Sequence, residues 1–118
     1  MINTFSIKDS KDFQKVINKG KWLGGDYLST YILQNNTNSN YIGLAIGKKV
    51  GKAYKRNRIK RLIKSSYTDL EKSLKYGYNI VFVWKIKAKY EDVNYDGIYK
   101  DINKALKKAG ILYENIND

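Results

Sequence analysis

The chain has 118 residues, the size of one domain, and carries 23 Lys+Arg against 11 Asp+Glu for a formal net charge of +12. It has no His and no Cys, which removes disulfides, the common zinc sites, cysteine nucleophiles and imidazole bases. A charge that large repels itself unless a polyanion or an anionic surface meets it, and no apolar run approaches the ~20 residues of a membrane span.

Met1 to Ser10 lacks the basic start and apolar run of a secretory signal, so the expected compartment is the cytoplasm. Ser10 suits the cap of a helix that carries Phe13, Val16 and Ile17 on one face and ends at Gly20. A short strand is expected near Trp22–Leu23, before the Gly24-Gly25 turn. Tyr27 to Leu33 is rich in β-branched and aromatic residues and reads as a strand, and Tyr41 to Ile46 reads as the next. The polar string Asn35-Asn36-Thr37-Asn38-Ser39-Asn40 joins them as a turn.

From about Ala53 to Leu74, Ile59, Leu62, Ile63, Leu70 and Leu74 fall on one stripe at 100° per residue, with Ser66 and Tyr67 beside them. Asn57, Arg58, Lys60, Arg61 and Lys64 fall opposite, so the spacing predicts one helix with a core face and a basic face. Gly77 opens a turn into a strand from Tyr78 to Lys85, where Ile80, Phe82 and Trp84 share a face. A final helix from about Val93 to Ala109, with Asp92 as its cap, turns Ile98, Ile102, Ala105 and Leu106 inward and stops at Gly110. The order α-β-β-β-α-β-α describes an α+β protein, a two-layer α/β sandwich on a small sheet, in a single domain over residues 1–118.

The charge is unevenly placed. Residues 1–64 hold 14 basic and 3 acidic side chains, residues 65–118 hold 9 and 8, and no acid lies between Asp26 and Asp69. Inside that gap stand Lys48, Lys49, Lys52, Lys55, Arg56, Arg58, Lys60, Arg61 and Lys64. The chain has 20 lysines and three arginines, and all three arginines fall within this segment. Arginine adds a rigid fork that grips phosphate in two places and a flat face that stacks on bases. The segment therefore asks for geometry as well as charge.

Gly47-Lys48-Lys49-Val50-Gly51-Lys52-Ala53 has three residues between its glycines and Ala after its last Lys. A nucleotide-binding loop needs four, and Ser or Thr to hold magnesium, so nucleotide hydrolysis is rejected. The acidic pairs Glu91-Asp92 and Asp69/Glu71 lie near helix ends and read as caps or solvated charge. No Ser has a base to activate it. Eleven Tyr, three Phe and two Trp are mostly needed for the core, and some of the Tyr can serve unpaired bases, where stacking contributes ~1–3 kcal/mol per base. A basic amphipathic helix can also lie on a membrane, but here the sheet needs the apolar stripe, and nucleic acid is the better partner. No short turn followed by a recognition helix is present, so DNA is not expected as the ligand.

The run Lys48-Lys49-Val50-Gly51-Lys52-Ala53-Tyr54-Lys55-Arg56-Asn57-Arg58-Ile59-Lys60-Arg61-Leu62-Ile63-Lys64 closely resembles the signature of the protein subunit of bacterial ribonuclease P. Asp12-Phe13-Gln14-Lys15-Val16 with Gly20 is similar to that family's first helix, Gly77-Tyr78-Asn79-Ile80-Val81 to its last strand, and Lys107-Lys108-Ala109-Gly110-Ile111-Leu112 to the end of its terminal helix. The resemblance covers nearly the whole chain. It implies a small mixed sheet with a left-handed crossover. It implies two partners, ribonuclease P RNA and the 5′ leader of precursor tRNA, and a catalytic RNA that holds the active site and its magnesium. The protein has no catalytic residue of its own in that scheme.

Carried over residue by residue, the resemblance gives Arg56, Asn57, Arg58, Lys60, Arg61 and Lys64 to RNA, with Lys48, Lys49 and Lys52 beside them. It gives Phe13, Ile17 and Tyr31 to the cleft where the single-stranded leader lies. Ile17 stands where the family commonly has Phe, and Ala45 and Gly47 stand where Ser is common. Lys52 replaces a frequent Asn and Lys64 a frequent Arg, and Met1 to Ile7 lacks the family's usual basic residues. The competing expectation is a ribosomal or other structured-RNA module with no role in processing.

Overall fold

The computed structural model describes residues 1–113. Five strands, β1 (Thr4–Ser6), β2 (Lys21–Gly24), β3 (Leu28–Gln34), β4 (Asn40–Ala45) and β5 (Tyr78–Trp84), form one sheet in the order β1-β4-β5-β3-β2. The helices are α1 (Ser10–Lys19), α2 (Ala53–Leu70) and α3 (Tyr95–Lys108). β5 is the central strand. It runs parallel to β4, from which α2 crosses over, and antiparallel to β3.

The period of two sorts the strands into faces. Leu28 and Ile32 of β3, Ile42 of β4 and Ile80, Phe82 and Trp84 of β5 point to one side, and there they meet Ile59, Ile63 and Tyr67 of α2 and Ile98, Ile102 and Leu106 of α3. Each such side chain contributes roughly 1.5–3 kcal/mol by leaving water. The expected core stripes of α2 and α3 are the ones observed. The intervening residues, Tyr31, Gly43 and Val81 among them, face the other side, where α1 lies across β3 and β5 and buries Val16.

The sheet is therefore covered on both faces, and α1 supplies a third layer beyond the expected two. Hydrophobic spacing identifies a helix but does not say which face of a sheet receives it. Strand β1 is also additional to the expected order. Three residues are too few for a pattern, and a distant side chain holds this strand. The buried Glu71 carboxylate accepts the Ile2 N–H at 2.7 Å, the Asn3 N–H at 3.3 Å and the Thr4 hydroxyl. The Thr4 hydroxyl also bonds the Tyr67 hydroxyl at 2.7 Å.

Two caps shift by one or two residues. Asp9, in extended backbone, caps α1 by accepting the Lys11 N–H at 2.8 Å, so Ser10 is the first helical residue. Asn94 caps α3 by accepting the Gly97 N–H at 2.7 Å, while Asp92 lies in a preceding 3-10 turn. Helix α2 ends at Leu70 rather than near Leu74, and Glu71–Ser73 tighten into a 3-10 turn. The buried Asp101 of α3 accepts the N–H groups of Asp26, Tyr27 and Leu28 at 2.9, 2.7 and 3.0 Å, tying α3 to the start of β3.

Candidate nucleic-acid interface

The basic segment begins three residues after β4. Lys48–Val50 make a single 3-10 turn that puts Lys48 and Lys49 into solvent. Gly51 follows at φ 126°, a conformation that a side chain would strain. Lys52 then occupies the N-cap of α2 without a capping side-chain bond, and the first turn of α2 holds no acid. A helix N-terminus already carries partial positive charge. Adding Lys52, Lys55 and Arg56 there opposes helix stability and favours any phosphate that approaches.

The three arginines do not act alike. Arg56 is half-buried and donates from Nη1 to the Gly51 carbonyl at 2.5 Å, bracing the turn that presents the lysine pair. Arg58 is half-buried too. Its guanidinium lies 5.6 Å from the ring centre of Tyr90, which Lys55 approaches to 5.2 Å, and its Nη1 reaches the Val93 carbonyl at 3.5 Å. Arg61 is exposed. With Asn57, Lys60, Lys64 and Tyr54 it lines one shallow hollow on the outer face of α2. Asn57, Lys60, Arg61 and Lys64 thus form the open surface, and Arg56 and Arg58 shape its margins.

Tyr54 was not among the expected site residues. It is 61% exposed and lies off the apolar stripe of α2. An aromatic at such a helical position is the sign by which the sequence marks it.

The second group lies on the opposite side of the sheet from the core. Phe13 and Ile17 stand one turn apart on α1, both half-buried. Tyr31 is half-buried on β3, in register with Val81, which is in register with Gly43 on its other side. Phe13 rests on Gly43: a Cβ at that position would stand 2.8 Å from two of its ring carbons. The missing side chain at Gly43 is what seats the ring.

The two groups are joined at the outer edge of β4. Strand β1 covers β4 only as far as Ile42. Beyond it, a hollow of about 420 Å³ is lined by Phe13, Ile42, Gly43 and Leu44 together with Lys60 and Lys64 of α2. The lysines of the first group and the aromatic of the second thus share one open space.

A mixed sheet whose crossover helix turns a basic face outward, with no acid in its first turn, defines a polyanion-binding protein. Residues 1–110 match the family model for Ribonuclease P. The chain is 40% identical over 105 residues to the ribonuclease P protein component of Clostridioides difficile (strain 630), covering 88% of this chain and 87% of that one. It is 43% identical over 110 residues to that of Clostridium botulinum (strain Loch Maree / Type A3), covering 89% and 94%. The fold superposes on the Staphylococcus aureus RNase P protein with a TM-score of 0.78 at 25% identity, over 91% of this chain and 96% of that one. It superposes on the Thermotoga maritima RNase P protein with the same score at 23% identity, over 87% and 96%. The chain belongs to the ribonuclease P protein family.

Proposed function

We propose that this chain pairs with ribonuclease P RNA as the protein component of the tRNA-processing ribonucleoprotein, and that it also binds the 5′ leader of precursor tRNA. Asn57, Lys60, Arg61 and Lys64, with Lys48, Lys49 and Lys52, meet RNA phosphates. Phe13, Ile17 and Tyr31 meet the unpaired leader. The observation that carries this reading is the hollow shared by Phe13, Lys60 and Lys64, because it lets one strand of RNA pass from an apolar cleft onto a basic helix.

The protein's share of the reaction is positioning. It holds leader and catalytic RNA in one register, so part of the entropy of bringing them together is spent on binding before the bond breaks. Magnesium held by the RNA would supply an activated water and charge stabilisation at the leaving oxygen. Among the described residues no group of three or more His, Cys, Asp or Glu is placed to hold a metal ion. No helix among the described residues is long and apolar enough to cross a membrane, and the proposed workplace is the cytoplasm.

The test is cleavage of precursor tRNA at low magnesium, comparing bacterial ribonuclease P RNA alone, the protein alone, and both. Efficient cleavage by the mixture only is the expected result. RNA binding without any gain in cleavage would instead favour a structured-RNA module.

A further inference from the structure

Trp22 is 57% exposed, whereas the chain's other tryptophan, Trp84, is buried and stacked on Tyr27. The register of β2 and β3 sets Trp22 directly opposite Tyr31, so the two aromatics stand side by side on the same sheet face. Leu23, between Trp22 and Gly24, points to the opposite face and is buried in the core. The indole does not stand up from the sheet. A Cβ on Gly24 would lie 2.8 and 2.9 Å from its Cζ2 and Cη2, so the benzene edge of the indole reaches back over the backbone of β2. An exposed indole of this kind offers a π-face that any base can cover.

The position is continuous with the basic segment. From Gly24, beneath the indole, one row of the sheet runs in register through Ser29 and Val83 to Ala45. Ala45 ends β4, and Lys48 and Lys49 follow it in solvent. The row spans about three strand spacings, roughly 14 Å, the reach of a few nucleotides. A polyanion held at Lys48 and Lys49 and crossing this row ends on the Trp22 ring. The net charge of +12 selects a nucleic acid over an apolar or acid-poor protein surface as the occupant.

We infer that Trp22 is a stacking platform for an unpaired base of the precursor tRNA leader, widening the cleft across β2 beyond Tyr31. It supplies the aromatic surface that Ile17 does not. The inference rests on the proposed leader binding.

The test is the affinity of the reconstituted ribonucleoprotein for precursor tRNA and for the same tRNA without a leader, with wild type, Trp22→Ala and Trp22→Phe. The expected result is that Trp22→Ala cuts the leader-dependent gain by roughly five- to a hundredfold, the range of one lost stack, that Trp22→Phe restores most of it, and that leaderless tRNA binds all three alike. In the full-length protein alone, a single-stranded leader oligonucleotide should quench the emission of wild type and leave Trp22→Phe, which retains only the buried Trp84, unchanged. A leader-dependent gain undiminished in Trp22→Ala overturns the platform while leaving leader binding intact, and so does an equal loss for both RNAs. If wild type itself gains nothing from the leader, leader binding fails and the platform falls with it.

Discussion

The ring of Phe13 lies on the backbone of Gly43, close enough that a single added methyl at 43 would stand 2.8 Å from two ring carbons. That contact sets where the Phe13 ring sits over β4 and, with it, one wall of the proposed leader cleft. Gly43→Ala should tilt or lift Phe13 and reduce the leader-dependent part of precursor tRNA affinity. Overpacking of this kind typically costs about 1–3 kcal/mol, so thermal melting should fall as well. Binding of leaderless tRNA is the control and should hold.

The arginines should separate in a paired experiment. Arg61→Ala removes an exposed charge and should leave the melting temperature nearly unchanged while weakening RNA binding. Arg58→Ala also removes a guanidinium from the Tyr90 face, an interaction of about 0.5–1 kcal/mol at such a site. It should lower both stability and affinity. Calorimetry beside filter binding reads the two effects, and equal melting temperatures for the two variants would contradict the assignment.

Salt should expose the electrostatic share of binding. If roughly six basic groups meet phosphates, log affinity should fall against log salt with a slope of roughly −4 to −5. Arg61→Ala and Lys64→Ala should each flatten that slope by a little under one. A wild-type slope near zero would remove phosphate contact from the mechanism.

Asp101 is a structural carboxylate. It accepts three consecutive backbone N–H groups at the start of β3 from its place on α3. Asp101→Ala leaves those donors without a partner and should cost more than about 2 kcal/mol. Urea unfolding gives the number. RNA affinity, measured well below the new melting point, should change little.

Alkaline pH should unpick a different contact. Burial, followed by the nearby Glu71 charge, pushes the Tyr67 hydroxyl up to about 12 from an ordinary 10. The unfolded chain therefore loses this proton first. The contribution is complete below pH 10 and is lost as pH rises from about 10 through 12, with a magnitude of about 2–3 kcal/mol. Tyr67→Phe should be less stable than wild type at pH 8 because the Thr4 hydroxyl loses the phenol it bonds and keeps only the Glu71 carboxylate. The difference between the two should shrink, in favour of the variant, as pH passes 10.

The α2 pattern was fully legible in the sequence, because a helix writes its inner and outer faces at a fixed interval. Ile59, Ile63 and Tyr67 fall inward and Lys60, Arg61 and Lys64 outward, as the spacing requires. The inward turn of Arg56 and Arg58 was not legible. Their partners, Gly51, Tyr90 and Val93, are chosen by loop geometry and not by period. Strand β1 was hidden for a related reason: Thr4 is fixed by Glu71, 67 positions away. The exposure of Trp22 belongs with these. A strand pattern shows which residues alternate, and only the register with Tyr31 and the bare backbone at Gly24 show where the indole goes.

The strand order carries a consequence for how the chain assembles. β5 separates β4 from β3 in space but follows both in sequence. Until residue 84 has been made, β2 with β3 and β1 with β4 are two ribbons that share no ladder of hydrogen bonds. Two-stranded ribbons are marginal in water. The basic helix is complete before β5 exists, so during synthesis it waits without the floor against which its apolar face will pack. A single late strand closes the sheet and gives the helix its floor, and α3, made last, then covers the rest of the core face.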